Sequence, residues 1–312
     1  MKGVSVMTDK KPIRSRRWLN YRHATPYILL APILIYVMLL MIWPMINVYV
    51  MSLQNYQLLK PKERAFIGLE NYITIFTQDE LFFKALGNSF VWVVVSVCVQ
   101  TVLGFWLAML LNQKFKGRGL YRALVLSPWA VAGVMVGIIW SLIYGETYGV
   151  LNDILKRVGL IERNISWFSS GKSAMAAAII ANVWRGIPFF CLNYLSALSS
   201  ISDDIYESAK IDGANGVVTL FKITIPMIKD TVILTTLLRS IWTFNAVDLI
   251  YSLTYGGPNN ATLTIPLYVM TTFKTKLDYG YASALAGVAT FMMMGFAIAY
   301  TKLGKLGKEG MY

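Results

Sequence analysis

Three ionisable residues interrupt the long apolar runs of this sequence, and they are the first side chains to consider for chemistry. Arg185, Arg239 and Asp248 each lie in a stretch that is otherwise rich in aliphatic and aromatic residues. Because a charge in an apolar environment is costly, we expect such residues to have a function. Arg239 and Asp248 lie roughly 13 Å apart along a helix that rises about 1.5 Å per residue. They cannot pair within that helix, so each needs another partner.

A polar stripe accompanies these charges. Trp242, Asn245, Asp248 and Ser252 follow one another at spacings of three and four residues, which places them on one side of a helix. An aromatic ring suits the apolar face of a sugar, and amide and carboxylate groups suit its hydroxyls. The stripe as a whole favours a cavity for a polar solute, whereas Trp242 alone is typical of ordinary packing.

Arg185 lies three residues before Pro188. The proline has no N–H, so the carbonyl of Trp184 loses its helical partner, and the donors of Arg185 lie beside that acceptor. Contact with a solute and satisfaction by neighbouring helices or water explain this arrangement equally well. The sequence also offers weaker candidates for a solute path: Asn182, Asn193 and Tyr194.

Few residues of the kind that enzymes use are present. His23 is the one histidine, and Cys98 and Cys191 both fall inside apolar runs, where packing explains them better than a disulfide. The sequence has no metal-ligand cluster, no Ser–His arrangement and no G-x-x-x-x-G-K-[ST] phosphate loop. It therefore predicts neither an enzyme nor a metal or cofactor site in this chain.

The composition indicates the elements that must position these residues. Of 312 residues, 56% are hydrophobic and 14% are charged, and the mean hydropathy is +0.54, which is typical of a membrane protein. An apolar run of about 20 residues crosses a bilayer as a helix. The sequence predicts an all-α polytopic membrane protein with one transmembrane domain, residues 26–302, between a basic segment 1–25 and a tail 303–312. Its six predicted spans are 26–51, 85–111, 120–144, 173–198, 227–255 and 279–302.

The distribution of positive charge predicts the orientation. If residue 1 lies inside, the inner segments hold most of the 29 Lys and Arg residues, as cytoplasmic segments do. Both ends of the chain are then cytoplasmic, and the net charge of +13 reflects topology. No basic stripe lies on a soluble domain, so nucleic acid is excluded as a partner.

Residues 201–226, called the surface segment below, form the largest inner loop of this topology. Ser202 can cap a helix whose first turn carries acidic residues, and Ile201, Ile205 and Ala209 recur on one face. Gly213 would end this helix. A second helix would turn Val217, Leu220, Phe221 and Thr224 inward and stop at Pro226. Periodicity alone is equally typical of an amphipathic helix resting on the bilayer surface.

The spacing within this segment resembles the EAA loop of permease subunits of ATP-binding-cassette importers. That loop has the pattern E-A-A, three residues, G, nine residues, I, one residue, L-P. Here Glu207-Ser208-Ala209, Gly213, Ile223 and Ile225-Pro226 keep this spacing, and the residue types differ from the pattern at Ser208, in place of Ala, and at Ile225, in place of Leu. The stretches "ANVWRGIPFF" and "FNAVDLIYSLTYGGPNN", and Asp212, Ala214 and Phe221, are similar to the carbohydrate branch of the family.

This resemblance implies a permease whose surface segment docks as coupling helices on an ATPase subunit. It implies that Glu207 makes the charged contact, that Gly213 permits the turn, and that Ala209 and Ala214 permit close approach. It also implies partners: a second homologous permease, two ATPase subunits that hold ATP and Mg, and an extracytoplasmic solute-binding protein. The membrane would be the cytoplasmic membrane of a bacterium or archaeon, and the solute a sugar or oligosaccharide.

Hydropathy alone also fits a receptor or scaffold, although the spacing from Glu207 to Pro226 argues against it, and among transport functions one alternative remains. A secondary transporter coupled to an ion gradient would use a carboxylate that titrates near the middle of the membrane, and it would show an internal repeat. Asp248 is the one carboxylate that lies away from the ends of the predicted spans, and no convincing repeat is present.

Overall fold

A computed structural model of the chain describes residues 16–304, which are mostly helical. The predicted basic segment 1–25 is therefore described from Arg16 onward and the predicted tail 303–312 as far as Gly304, and the remainder of both lies outside the described residues. The chain divides into two compact units, Met1–Val50 and Met51–Tyr312.

The first predicted span is one continuous helical stretch, Thr25–Ser52, and all of it except the last two residues belongs to the first unit. α1 (Arg16–Val37) leads through a π turn, Met38–Ile42, into α2 (Trp43–Ser52). The π turn ends two residues before Pro44. A proline has no N–H and its ring crowds the preceding turn, so a wider turn lets the helix pass through without breaking.

The second unit begins with a short antiparallel pair of strands, β1 (Gln54–Asn55) and β2 (Ala65–Phe66), in which Gln54 pairs with Phe66. The helices that follow are α3 (Glu70–Thr77), α4 (Glu80–Asn112), α5 (Arg118–Leu126), α6 (Gly133–Ile143), α7 (Val150–Arg157), α8 (Gly171–Ser199), α9 (Asp203–Ile211), α10 (Gly216–Thr219), α11 (Ile225–Met227), α12 (Lys229–Phe244), α13 (Val247–Thr254), α14 (Ile265–Thr271) and α15 (Tyr279–Leu303).

Four of the predicted spans are continuous helices within residues 16–304: Thr25–Ser52, α4, α8 and α15. The third and fifth are bent pairs and not the straight helices that the sequence predicts. Arg118–Ala130 and Gly133–Ile143 meet at 96°, and α12 and α13 meet at 45°. Six crossings remain if each bent pair is one span.

Local chemistry explains both bends. The first follows a 3-10 turn, Ser127–Ala130, that contains Pro128, and Val131 after it is extended. At the second, the Asn245 side chain donates to the carbonyl oxygen of Ile241 at 2.9 Å. Side chains that bond the backbone in this way compete with the helical ladder, and the chain leaves the helix at Ala246.

Glycine lets the long helices approach closely. A Cβ at Gly104 of α4 would overlap the Cβ of Phe190 in α8 and lie 3.2 Å from the backbone nitrogen of Cys191. A Cβ at Gly137 of α6 would overlap the Ser252 hydroxyl in α13. Small residues at helix crossings of this kind drive packing in membranes, where lipid is as apolar as the side chains.

One carboxylate ties three helices together where α4 begins. Asp79 caps α4 by accepting from Phe82 N at 3.0 Å, and its other oxygen accepts from the hydroxyls of Tyr268 at 2.8 Å and Tyr281 at 2.5 Å. Burial and the bond to Asp79 raise the pKa of the Tyr268 hydroxyl, so it stays a donor across the physiological range. The starts of α4, α14 and α15 are fixed together.

The Gly104 crossing predicts that Gly104→Leu destabilises the chain by about 1–3 kcal/mol, because the added side chain meets backbone in α8. Thermal unfolding of the purified protein in detergent measures this effect. Gly87→Leu is the matched control on the same helix, because a Cβ there meets nothing within 4 Å. Equal melting temperatures for the two variants would show that the α4–α8 crossing is not close-packed.

Candidate functional site

The surface segment begins as its sequence predicts. The Oγ of Ser202 accepts a hydrogen bond from the backbone nitrogen of Asp204 at 3.3 Å and so caps α9. Asp203 and Asp204 occupy the first turn, where negative charge complements the helix dipole. The start of α9 is therefore fixed by its own residues.

The end of α9 is a tight turn that needs glycine. Gly213 N–H donates to the carbonyl of Lys210 at 3.1 Å, and Ala214 N–H donates to the carbonyl of Ala209 at 2.9 Å. These two bonds form a Schellman motif, which requires a left-handed residue. Gly213 supplies it with φ of +77°, as predicted for the position that ends the helix.

The apolar face of α9 packs onto the ends of two spans. Ile201 is buried in a cluster with Leu198 of α8 and Ile228, which precedes α12, and Ile205 and Tyr206 pack against that cluster. The buried face formed by Ile201, Ile205 and Ala209 is thus confirmed. Tyr206 is a contact that the periodicity did not indicate.

The second half of the surface segment departs from its prediction. Thr224 is buried and its hydroxyl donates to the Tyr206 hydroxyl at 3.5 Å, but Val217 and Phe221 are 65% and 64% exposed. The helix also continues past Pro226 and breaks only at Ile228. A π turn, Leu220–Thr224, ends two residues before the proline. Its wider turn makes room for the proline ring, so the helix continues. It also rotates the side chains out of the 3.6-residue register on which the predicted inward face depends.

The outward side of the surface segment combines charge with exposed apolar groups. Glu207, Ser208, Asp212 and Gly213 are exposed, and Ala214 is half-buried. Three large apolar side chains are exposed beside them, Ile211 at 86% together with Val217 and Phe221. Large apolar side chains that are exposed in the same short segment as charged ones are typical of a protein-binding surface.

A second group of candidates meets where α8, α13 and α6 adjoin. Arg185 Nη1 lies 3.7 Å from Asp248 Oδ2, and the side chains are 24% and 41% exposed. A Cβ at Gly133, the first residue of α6, would overlap the Asp248 carboxylate. Asp248, one of the two charges expected to need a partner outside its own helix, therefore pairs with Arg185. The pair is partly exposed in this structure.

Arg239 has different partners. It is 7% exposed, its Nε donates to Gln100 Oε1 at 3.0 Å, and its Nη2 donates to Asn182 Oδ1 at 3.3 Å. Gln100 Nε2 in turn donates to the Asn182 carbonyl at 2.7 Å. Among the described residues no carboxylate pairs with Arg239. This group, called the Arg239 cluster below, joins α4, α8 and α12 by amides alone.

The predicted stripe on the fifth span is interrupted. Asn245 lies at the bend, so the spacing that placed Trp242 and Asp248 on one helical face does not apply across it. The Trp242 ring is half-exposed and packs on Phe189 at a centroid distance of 5.0 Å. The Ser252 hydroxyl donates to the carbonyl of Asp248 at 2.8 Å, and so is used within its own helix.

A cavity of about 510 Å³ lies beside Asn245, between α12, α14 and α15. Its walls are mainly aliphatic and methionine side chains, and Asn245 and Thr290 supply polar groups. Apolar walls with a few polar groups are typical of sites for small molecules.

The remaining candidates lie elsewhere. Trp184 is 37% exposed and meets the Trp140 ring edge-on at 6.0 Å. The Asn193 amide donates to its own helix, at the Phe189 carbonyl, at 2.7 Å. Tyr194 is fully buried in the core, against Phe190. The structure therefore brings neither Asn193 nor Tyr194 to the Arg185–Asp248 pair.

Sequence reasoning missed Gln100, Gly133 and Gly186. A Cβ at Gly186 would overlap the Gln100 amide, so this glycine makes room for the Arg239 cluster. The sequence does contain a signal for these three residues: Gln100 is an amide within the apolar run of α4, and Gly133 and Gly186 are glycines within apolar stretches. In the described part of the chain no group of three or more His, Cys, Asp or Glu residues is placed to hold a metal ion.

The Arg239 cluster predicts that Gln100→Leu destabilises the protein by about 1–3 kcal/mol or more, because a buried charged donor loses its acceptor. Gln113→Leu, at the exposed end of α4, is the control. Thermal unfolding of both variants measures the difference. If Gln100→Leu were as stable as the wild type, Arg239 would not depend on this amide.

Comparison with known proteins places the chain among transport proteins. Residues 100–303 match the family described as binding-protein-dependent transport system inner membrane component. A trehalose/maltose transport system permease protein of Thermococcus litoralis is 36% identical and aligns over 93% of this chain and 97% of its own length. A sulfoquinovosyl glycerol transport system permease protein of Agrobacterium fabrum is 31% identical over 96% of each chain.

The fold is also similar to a solved structure. A chain of a bacterial ABC transporter that imports the acidic polysaccharide alginate superposes with a TM-score of 0.79 at 21% identity, over 95% of this chain and 100% of that one. The family match covers the surface segment, the Arg239 cluster and both bent spans. The chain belongs to the family of inner-membrane components of binding-protein-dependent transport systems.

Proposed function

We propose that this chain is the transmembrane permease subunit of an ATP-driven importer of a sugar or oligosaccharide. Its relatives are permeases named for trehalose and maltose and for sulfoquinovosyl glycerol. The observation that carries the proposal is the surface segment, which keeps the spacing from Glu207 to Pro226 and presents it on a helix anchored at one side and exposed at the other.

The surface segment is suited to transmit movement. α9 joins the end of α8 to the start of α12 through the cluster of Leu198, Ile201 and Ile228, so a displacement of α9 must move both spans. A stiff element of this kind passes on a rigid-body shift that a flexible loop would absorb. One of two ATPase subunits, which bind ATP and Mg, would hold α9 by Glu207 and by the exposed side chains of Ile211 and Phe221.

The solute path is assigned to the exposed polar groups. Arg185, Asp248, Trp242 and Asn245 have side chains that solvent reaches, and they would face a second, homologous permease that completes the path. An extracytoplasmic binding protein would deliver the solute, and the two permeases would open alternately to either side of the membrane. Arg239 and Asn182 are assigned a structural role, because both are buried.

The proposed orientation places the surface segment and both ends of the chain in the cytoplasm of a bacterium or archaeon.

A transporter driven by an ion gradient is disfavoured. Its carboxylate must exchange protons or ions during the cycle, whereas Asp248 is held beside Arg185 at 3.7 Å.

Coupling through α9 predicts that Glu207→Lys lowers ATP-driven uptake by roughly tenfold or more, because reversing a charge at an interface leaves its partner unpaired. Uptake of labelled sugar into proteoliposomes that hold the assembled transporter measures this effect. The variant should fold and insert normally, since Glu207 is exposed.

Glu162→Lys is the matched control, because it makes the same charge change at an exposed position in the loop between α7 and α8. It should leave uptake unchanged. Normal uptake by Glu207→Lys, or an equal loss in both variants, would count against coupling through this surface.

A further inference from the structure

A groove of about 720 Å³ lies between α4 and α8 at the end of the molecule where both helices begin. Its rim carries the two lysines Lys84 and Lys172 and the amide of Asn88, and its floor is formed by Val91, Met175 and Ile179. The groove therefore changes from cationic near the starts of the two helices to apolar further along them.

The rim is held in place by the loop between α13 and α14. Lys84 Nζ donates to the Asn259 carbonyl at 2.5 Å, and Asn88 Nδ2 donates to the carbonyls of Asn260 at 3.0 Å and Leu263 at 2.9 Å. These bonds fix the mouth of the groove. Their acceptors are carbonyl oxygens, and in the part of the chain that the structure describes no carboxylate pairs with Lys84.

Lys172 has a charge that its surroundings do not favour. It lies in the first turn of α8, which contains no acidic residue, and the helix dipole there disfavours a cation. Its side chain forms no hydrogen bond or ion pair within residues 25–304. An anion near this turn would interact favourably with both lysines and with the helix end.

The apolar floor continues away from the rim along both helices. Val95 and Val99 of α4 are 40% and 38% exposed, and Ile180 of α8 is 45% exposed. A cationic rim with an apolar strip below it matches an amphiphile that has a negative head and a hydrocarbon chain. Lysines at the ends of membrane helices lie at the level of the headgroups.

We propose that this groove binds a membrane lipid with an anionic phosphate headgroup. The phosphate lies between Lys84 and Lys172, and one acyl chain follows Val91 and Ile179 toward the middle of the bilayer. Free phosphate would satisfy the rim and leave the floor uncovered, which is why the lipid is the occupant that fits both parts.

Native mass spectrometry of the full-length chain, with any subunits that co-purify, tests the proposal. The probes are phosphatidylglycerol, phosphatidylcholine with the same acyl chains, and inorganic phosphate. We expect phosphatidylglycerol to bind more tightly than phosphatidylcholine, and Lys172→Gln to weaken its binding about fivefold. Lys172 is the rim residue to change because its side chain forms no hydrogen bond or ion pair within residues 25–304, so its loss should not affect folding.

Two further variants make the result specific. Val91→Trp fills the floor without altering charge and should also weaken phosphatidylglycerol binding, whereas Lys156→Gln, an exposed lysine on α7, should not. Unchanged binding in both Lys172→Gln and Val91→Trp would overturn the proposal. Displacement of the lipid by millimolar inorganic phosphate would also overturn it. So would a photo-crosslinking amino acid at position 91 that captured a second subunit, because the groove would then be a subunit interface.

Discussion

The attachment of α9 to the ends of two spans is the constraint on which this account depends. A helix of nine residues is too short to be stable alone in water, so its structure and its direction come from what it packs against. Ile201, Ile205 and Tyr206 join it to Leu198 and Ile228, and Ser202 and Gly213 fix its two ends. Because α8 and α12 both meet that cluster, a push on α9 reaches the two helices that carry Arg185 and Arg239.

Within the membrane the same helices satisfy their polar groups internally, as an apolar solvent requires. Arg239 is neutralised by no carboxylate in the described part of the chain, yet the amides of Gln100 and Asn182 accept its hydrogen bonds. The glycines at 104 and 186 permit the helices to come close enough for these contacts. The buried charge thus fixes the relative positions of α4, α8 and α12, and the exposed pair of Arg185 and Asp248 remains available at the edge.

Much of this arrangement follows from short-range rules. Hydropathy locates the spans, and the cap at Ser202, the face of Ile201 and Ala209, and the turn at Gly213 follow from patterns that depend on neighbouring residues. The spacing from Glu207 to Pro226 indicates the family, which the comparisons confirm.

The errors arise where a local rule competes with packing. Pro226 was expected to end a helix, but a π turn absorbs it and exposes Val217 and Phe221. The stripe from Trp242 to Ser252 assumed a straight helix, and the side chain of Asn245 ends that helix early. No pattern within one helix shows that Arg239 meets Gln100, because the contact joins distant parts of the chain.

The central claim, that α9 is held by a separate ATPase, is tested most directly by photo-crosslinking. A crosslinking amino acid is placed at position 211, whose side chain is 86% exposed, and for comparison at Tyr148, which is 95% exposed in the loop after α6. On irradiation of intact cells, the account predicts a product between position 211 and the ATPase subunit and none from position 148. A product between position 211 and an extracytoplasmic protein, or no ATPase product from an actively transporting complex, would contradict it.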